Sequence, residues 1–284
     1  ELWNLMHRIL PDFSLGYTVK PVIYGTLASW LAFVPRRFAL ITGLGYTFQG
    51  EYGERSWLQN VVQRLFRIAL GKAHKVFFQN PDDEALFHNL GIINHSDEKT
   101  VVVNGSGIDV TNFKVAPIPK KIRFLLIARL MGDKGIREYV KAAGIVKRQH
   151  HNIIFGLVGW IDENPNAIGE DELQSWIEVG DIQFYGRLED VKPVIAESSV
   201  YVLPSYREGT PRIVLEAMAM GRPIITTDAP GCRETVVDGV NGFLVPVKAV
   251  DELALAMLKF IEKPDLIDKM GHQSRQLAEE KYDV

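Results

Sequence analysis

An α/β protein of two domains with parallel sheets is the fold class this sequence predicts, and three observations carry it. Short apolar runs alternate with longer helical patterns along most of the chain, as they do in βαβ units whose strands are buried on both faces. Between Asn104 and Lys121 the alternation stops: "NGSGID" and then "VAPIPKK" bring two prolines and a basic pair without any period, which reads as a linker. The length of 284 residues suits about two domains. The expected division is 1–115 and 116–284.

Taken in order, the elements begin with "ELWNLMHRILPDFSLGY", read as the end of a helix followed by a strand, with Pro11 and Asp12 between them. This stretch lacks the basic region, apolar run and small-residue cleavage site of a signal peptide. Strands are expected at "FALIT" (38–42), "KVFFQ" (75–79) and "TVVV" (100–103). Between the first two lies "ERSWLQNVVQRLFRIALGKAHK", with Trp57, Val61, Leu65 and Ile68 near one face and Arg55, Arg64, Arg67, Lys72 and Lys75 around the others. Two readings fit it: a basic amphipathic helix at a bilayer surface, or an ordinary domain helix with its apolar face on the sheet, which is the simpler. Beyond the linker, strands are expected at "IRFLLIA" (122–128), "NIIFGLVG" (152–159), near Ile182 to Tyr185, at "VYVLP" (200–204) and at "RPIITT" (222–227). No apolar run is long enough to cross a bilayer.

Composition narrows the function. At 46% hydrophobic and 24% charged, the chain is of globular type. Its net charge of −3 supplies no basic field, which argues against nucleic acid as a partner. A single cysteine, Cys232, excludes an intramolecular disulfide and fits a reducing compartment, so the cytoplasm is the expected location. The seven histidines show no zinc-ligand spacing, so no metal is expected.

Open α/β sheets bind ligands beyond the carboxyl ends of their strands. Three cues fall there: Arg129 and Lys134 in "ARLMGDKG", Gly186 and Arg187 in "YGRL", and Glu208 in "PSYREGTP". Two cations suit an anionic group such as a diphosphate, although a solvated turn would carry the same pair. Pro211 fits the first position of a helix, whose free amides attract phosphate or a polar sugar. Glu208 before that helix and Glu216 inside it need not touch; they suit different hydroxyl-bearing parts of one elongated ligand. A loop charge and a carboxylate favouring the helix dipole are the plainer readings. There is no Walker loop and no GxGxxG fingerprint.

The run "PSYREGTPRIVLEAMAMGRPIITTDAPGCRETVVDGVNGFLVP", with "ARLMGDKG" upstream, resembles the donor-site signature of retaining glycosyltransferases of family 4, in which two glutamates separated by seven residues form the E-x7-E motif. The resemblance covers essentially the whole chain. It implies the GT-B fold, two Rossmann-like domains with parallel sheets facing a cleft. It also implies that Arg129 and Lys134 bind the donor diphosphate, that Glu208 and the backbone of Gly209, Thr210, Pro211 and Arg212 hold the transferred sugar, that Glu216 binds the ribose, and that Gly186 and Arg187 border the base. Glu208, Arg129 and Lys134 are thus the catalytic candidates, and on chemical grounds Glu208 is the alternative as a carboxylate nucleophile. "GYTVKPVIYG" and "TGLGYTF" look most like bacterial enzymes extending lipid-linked oligosaccharides with a hexose or N-acetylhexosamine. Such enzymes generally need no divalent metal. No cofactor is expected, since the nucleotide sugar, UDP-linked on this reading, is a substrate.

The expected partners are that donor, a glycan or lipid-linked acceptor, and the cytoplasmic face of the membrane as a peripheral contact. Lys20, Thr42, Gly43 and Tyr46, at strand ends of the first domain, are the acceptor-side candidates. Where many relatives carry a donor-touching histidine, this chain has Gly43, Leu44, Gly45 and Tyr46. The resemblance also places strands ahead of Glu1, so the first domain is expected to be incomplete, and the closing helix short. Other classes fit the motifs less well: a non-catalytic nucleotide-sugar-binding module, or a nucleotide-sugar epimerase.

Overall fold

A computed structural model describes residues 1–43, 57–94 and 98–284, with Leu58 described by its backbone alone. The chain divides into two compact units, Glu1–Gly105 and Ser106–Val284. The boundary falls earlier than the linker's composition suggests. Ile108 and Val110 are buried in a core cluster of the second unit beside Tyr282, the Ile108 amide donates to the Tyr282 carbonyl at 2.8 Å, and Ala116 donates to Met220. Most of the aperiodic stretch is therefore strapped onto the second unit.

In the first unit, strands β1 (Phe13–Tyr17), β2 (Arg36–Ile41), β3 (Lys75–Phe78) and β4 (Thr100–Val102) form one parallel sheet in that order. Helix α1 (Leu2–Ile9) precedes β1, and α2 (Thr26–Leu31) follows a wide turn at Pro21–Gly25. Helix α4 (Pro81–Asn89) starts where Asn80 accepts the Asp83 amide at 2.8 Å, with Pro81 at a position that needs no donor.

Helix α3 (Trp57–Gly71) buries Phe66 and Leu70 in a core with Val76, Phe78 and Phe87, with Val62 and Leu65 at the edge of that core. This corrects the expected stripe: Trp57 is 79% exposed and Ile68 47% exposed. The helix is turned so that residues spaced three and four apart from Val62 to Leu70 meet the sheet, and Trp57 and Ile68 fall off that face. Arg55 lies outside the described residues.

The second unit is a six-stranded parallel sheet. Its strands are β5 (Arg123–Ile127), β6 (Ile154–Val158), β7 (Gln183–Phe184), β8 (Val200–Leu203), β9 (Ile224–Thr227) and β10 (Gly242–Val245), in spatial order β10-β9-β8-β5-β6-β7. Side chains alternate across it as the two-residue period demands. Phe124 and Leu126 of β5, with Val200 and Val202 of β8, join one core layer, which also holds Tyr139, Met257 and Phe260. Leu125, Tyr201 and Leu203 join the other, with Leu215 and Met218. Helices α5 (Ile136–Lys147), α6 (Glu170–Val179), α7 (Lys192–Ala196), α8 (Arg212–Ala219), α9 (Val250–Glu262) and α10 (Asp265–Lys281) complete the unit.

Strand β10 was not among the expected ones. It is held by close backbone approach, since a Cβ on Gly242 would lie 1.8 Å from the Ile224 carbonyl oxygen. The α8 boundary also shifts by one position. Pro211 is the N-cap, with extended backbone, and Arg212 is the first helical residue.

Candidate active site

Chain order and spatial order reverse between β5 and β8, because β5 runs on to β6 and β7 on one side while β8, β9 and β10 lie on the other. At such a switch point the loops leaving neighbouring strands part and open a crevice at the carboxyl edge. The loop after β5 carries Arg129 and, in a short helical turn Gly132–Lys134, the second cation. The loop after β8 carries Glu208.

The structure brings two of the expected residues together. Lys134 Nζ lies 2.6 Å from Glu208 Oε1, with both side chains mostly buried. Several contacts fix this pair. Gly135 has φ of 70°, and a Cβ there would lie 2.1 Å from the Pro204 carbonyl oxygen, so the two loops pack backbone to backbone. The Tyr206 amide donates to the Asp133 carbonyl at 2.9 Å, and its hydroxyl donates to Glu138 at 2.8 Å. On the far side, the Glu208 amide donates to the Pro230 carbonyl. Gly231, at φ of 80°, comes so close that a Cβ would sit 2.1 Å from the Glu208 carbonyl oxygen.

The remaining donor-side candidates lie along the same edge. Arg129 Nη1 pairs with Asp162 Oδ2 at 3.0 Å beyond β6, and its side chain is about half exposed. Gly186, at φ of 69°, follows β7. The guanidinium of Arg187 stacks over Trp160, 4.8 Å from the ring centre. Gly209 and Pro211 are buried and Thr210 half-buried, where the chain turns into α8.

Glu216, in the second turn of α8, pairs with Arg212 Nε at 3.2 Å. Burial raises its carboxyl above the ordinary range, and Arg212 opposes that shift. The two glutamates thus keep separate partners. Ser205, Tyr206, Trp160 and Asp162 join the expected residues at this edge; their only signal in the sequence is position in the same strand-end loops.

In the first unit, the exposed Lys20 follows β1, and Thr42 and Gly43 follow β2, which places them at the carboxyl ends of adjacent strands. Tyr46 lies outside the described residues. Among the described residues, no group of three or more histidine, cysteine or acidic side chains could hold a metal ion. No helix among them is long and apolar enough to cross a membrane.

Residues 109–277 match the model of the glycosyl transferases group 1 family. The chain belongs to that family. This glycosyltransferase is 29% identical, over 98% of its length and 75% of the relative's, to the N,N'-diacetylbacillosaminyl-diphospho-undecaprenol alpha-1,3-N-acetylgalactosaminyltransferase of Campylobacter jejuni. It is 26% identical, over 98% of its length and 74% of the relative's, to the capsular polysaccharide biosynthesis glycosyltransferase CapM of Staphylococcus aureus.

Among solved structures, Anabaena Alr3699/HepE in complex with UDP-glucose superposes with a TM-score of 0.79 at 20% identity, covering 99% of this chain and 77% of that one. The pneumococcal O-GlcNAc transferase GtfA in complex with UDP and GlcNAc superposes at 0.75, also at 20% identity, covering 99% and 56%. These likenesses concern the fold, which is the expected GT-B one. The E-x7-E motif of the family 4 resemblance lies in the group 1 match.

Proposed function

We propose that this glycosyltransferase moves a hexose or N-acetylhexosamine from a UDP-linked donor to a lipid-linked glycan acceptor, with retention at the anomeric carbon and without a metal, in the synthesis of a cell-surface polysaccharide or glycan. The observation that carries the reading is the Lys134–Glu208 pair at the switch point of the second sheet. A cation suited to phosphate there stands beside a carboxylate suited to sugar hydroxyls, at the edge where an open α/β sheet receives its ligand. The lipid-linked acceptor is supported by the name of the Campylobacter relative, and the UDP-linked donor by the ligands named for the two structural neighbours.

On this reading the donor diphosphate draws Lys134 away from Glu208, and Arg129 away from Asp162. The two cations then stabilise negative charge as the bond between the sugar and the phosphate breaks. Glu208, released from Lys134, accepts hydroxyl hydrogens of the sugar, and Glu216 accepts those of the ribose. The acceptor hydroxyl attacks from the face the diphosphate leaves, and its proton passes to a phosphate oxygen of the leaving group. The exposed Lys20 and the turn at Thr42 and Gly43 serve the acceptor side, and association with the cytoplasmic face of the membrane would bring a lipid-linked acceptor within reach.

The test is incubation with a panel of UDP- and GDP-sugars and a polyprenyl diphosphate-linked sugar acceptor, with products read by mass and their anomeric configuration by NMR, in the presence and absence of a chelator. The account expects a retained linkage from a UDP donor, unaffected by the chelator. Inversion, an epimerised donor, or binding of donor with no transfer would each contradict it.

A further inference from the structure

Ser205 is fully buried at the root of the loop that carries Glu208, and the reading above gives it no role. Its hydroxyl donates to Glu208 Oε1 at 2.6 Å, the same oxygen that receives Lys134. Its own carbonyl accepts the hydroxyl of Thr227, at the end of β9, and the thiol of Cys232 at 3.9 Å. Thr227 and Cys232 are also fully buried. A line of polar contacts thus runs from the end of β9 through Ser205 to the carboxylate, while the Glu208 amide is tied to Pro230 in the same direction.

The two donors on Oε1 differ in kind. Lys134 is a mobile ammonium on another loop, suited to a phosphate. Ser205 lies three residues before Glu208 on the same loop and is closed off from solvent, so a ligand entering the crevice leaves its hydrogen bond in place. We infer that Ser205 is a positioning residue for sugar transfer: it holds the Glu208 carboxylate in its ligand-receiving orientation once the donor has taken Lys134. The inference rests on the assignment of Glu208 to the transferred sugar made above. A hydrogen bond to a charged group is stronger than one between neutral partners. Without it the carboxylate would rotate, and the cost would fall on the step in which the sugar must be held, leaving nucleotide binding intact.

The experiment compares the full chain with Ser205→Ala, Ser205→Thr and Glu208→Ala. It measures UDP released from UDP-N-acetylgalactosamine with and without the polyprenyl-linked acceptor, the Kd of UDP by calorimetry, and Tm. Ser205→Ala is expected to lower kcat on the order of tenfold or more, the rate equivalent of losing one charged hydrogen bond, with the Kd of UDP unchanged. Ser205→Thr, which keeps the hydroxyl, is expected to recover most of the turnover. Parental kcat in Ser205→Ala alongside an impaired Glu208→Ala would overturn the inference and leave the Glu208 assignment standing. A parallel loss of UDP affinity, Tm and turnover in Ser205→Ala would also overturn it, by showing a purely structural role. Parental turnover in Glu208→Ala would remove the assignment of Glu208, and the inference with it.

Discussion

Two strands of this chain, one central in its sheet and one at a sheet edge, are buried to different degrees. Strand β5, in the middle of the second sheet, has Phe124, Leu125 and Leu126 almost wholly buried, with a core layer on each face. Strand β1, at the edge of the first sheet, leaves Phe13, Leu15 and Tyr17 more than half exposed. The candidate residues follow suit. Lys134 and Glu208 are ion-paired and mostly buried between loops that touch backbone to backbone, whereas Lys20 is exposed. Chemistry that must stabilise developing charge benefits from fixed, partly desolvated groups, and the Lys134–Glu208 pair of the second unit is of that kind.

The sharpest way to test that contrast is to empty one side chain from each sheet. Phe155→Ala, in the layer where Phe155 stacks on Phe124, should cost about 3 to 5 kcal/mol of stability, read from denaturant unfolding of the second unit. A loss of similar size at Phe13 would erase the distinction between the two strands. Next in size is the cation of the pair. Lys134→Ala should raise the barrier to transfer by about 2.7 to 4 kcal/mol if it acts as an oxyanion-type donor. Arg129→Ala should cost less, because Arg129 is half exposed where Lys134 is mostly buried. Steady-state kcat values in the opposite order would break the assignment.

Smaller effects sharpen the picture. Gly231→Ala forces a Cβ onto the Glu208 carbonyl at a positive φ, a strain of about 1 to 3 kcal/mol. It should appear as a lower Tm together with lower turnover. An unchanged enzyme would mean that the 229–231 loop does not brace Glu208.

For Glu216 the variable is pH. Its carboxyl is raised by burial, so as pH falls it takes up a proton before an ordinary glutamate does. UDP affinity should therefore begin to weaken above the ordinary glutamate range, and Glu216→Gln should flatten that limb in calorimetric titrations. The stability linkage has the opposite sense. Since the folded state holds this proton more tightly than the unfolded state, Glu216's contribution to stability is present in acid and lost as pH rises through its folded pKa. The smallest change is Phe13→Ala, which should stay within about 0.5 kcal/mol.

How much of this was legible in the sequence follows from the same physics. Strands β5, β6, β8 and β9 read as continuous apolar runs because both their faces are covered, and that pattern survives without any structure. Strand β10 escaped notice because Gly242 contributes backbone proximity where other strands contribute side-chain pattern. The α3 stripe failed for a related reason: Trp57 and Ile68 looked like core by type, but Phe66 and Leu70 occupy the face that meets the sheet.

At the site, the donor-side residues could be named from their positions after strands. The contact between Lys134 and Glu208 could not, since it depends on β8 returning to lie beside β5. Ser205 was hidden because a serine in a loop is unremarkable until its hydroxyl is seen on a carboxylate.

If a diphosphate takes Lys134 from Glu208, nucleotide binding alone will show it, without any acceptor. Uridine, UMP and UDP are titrated by calorimetry into the chain and into Lys134→Ala. The parent should bind UDP more tightly than UMP and uridine, and Lys134→Ala should lose this gain while keeping its affinity for uridine. Equal binding of UDP by both proteins, or no binding by a folded parent, would contradict it.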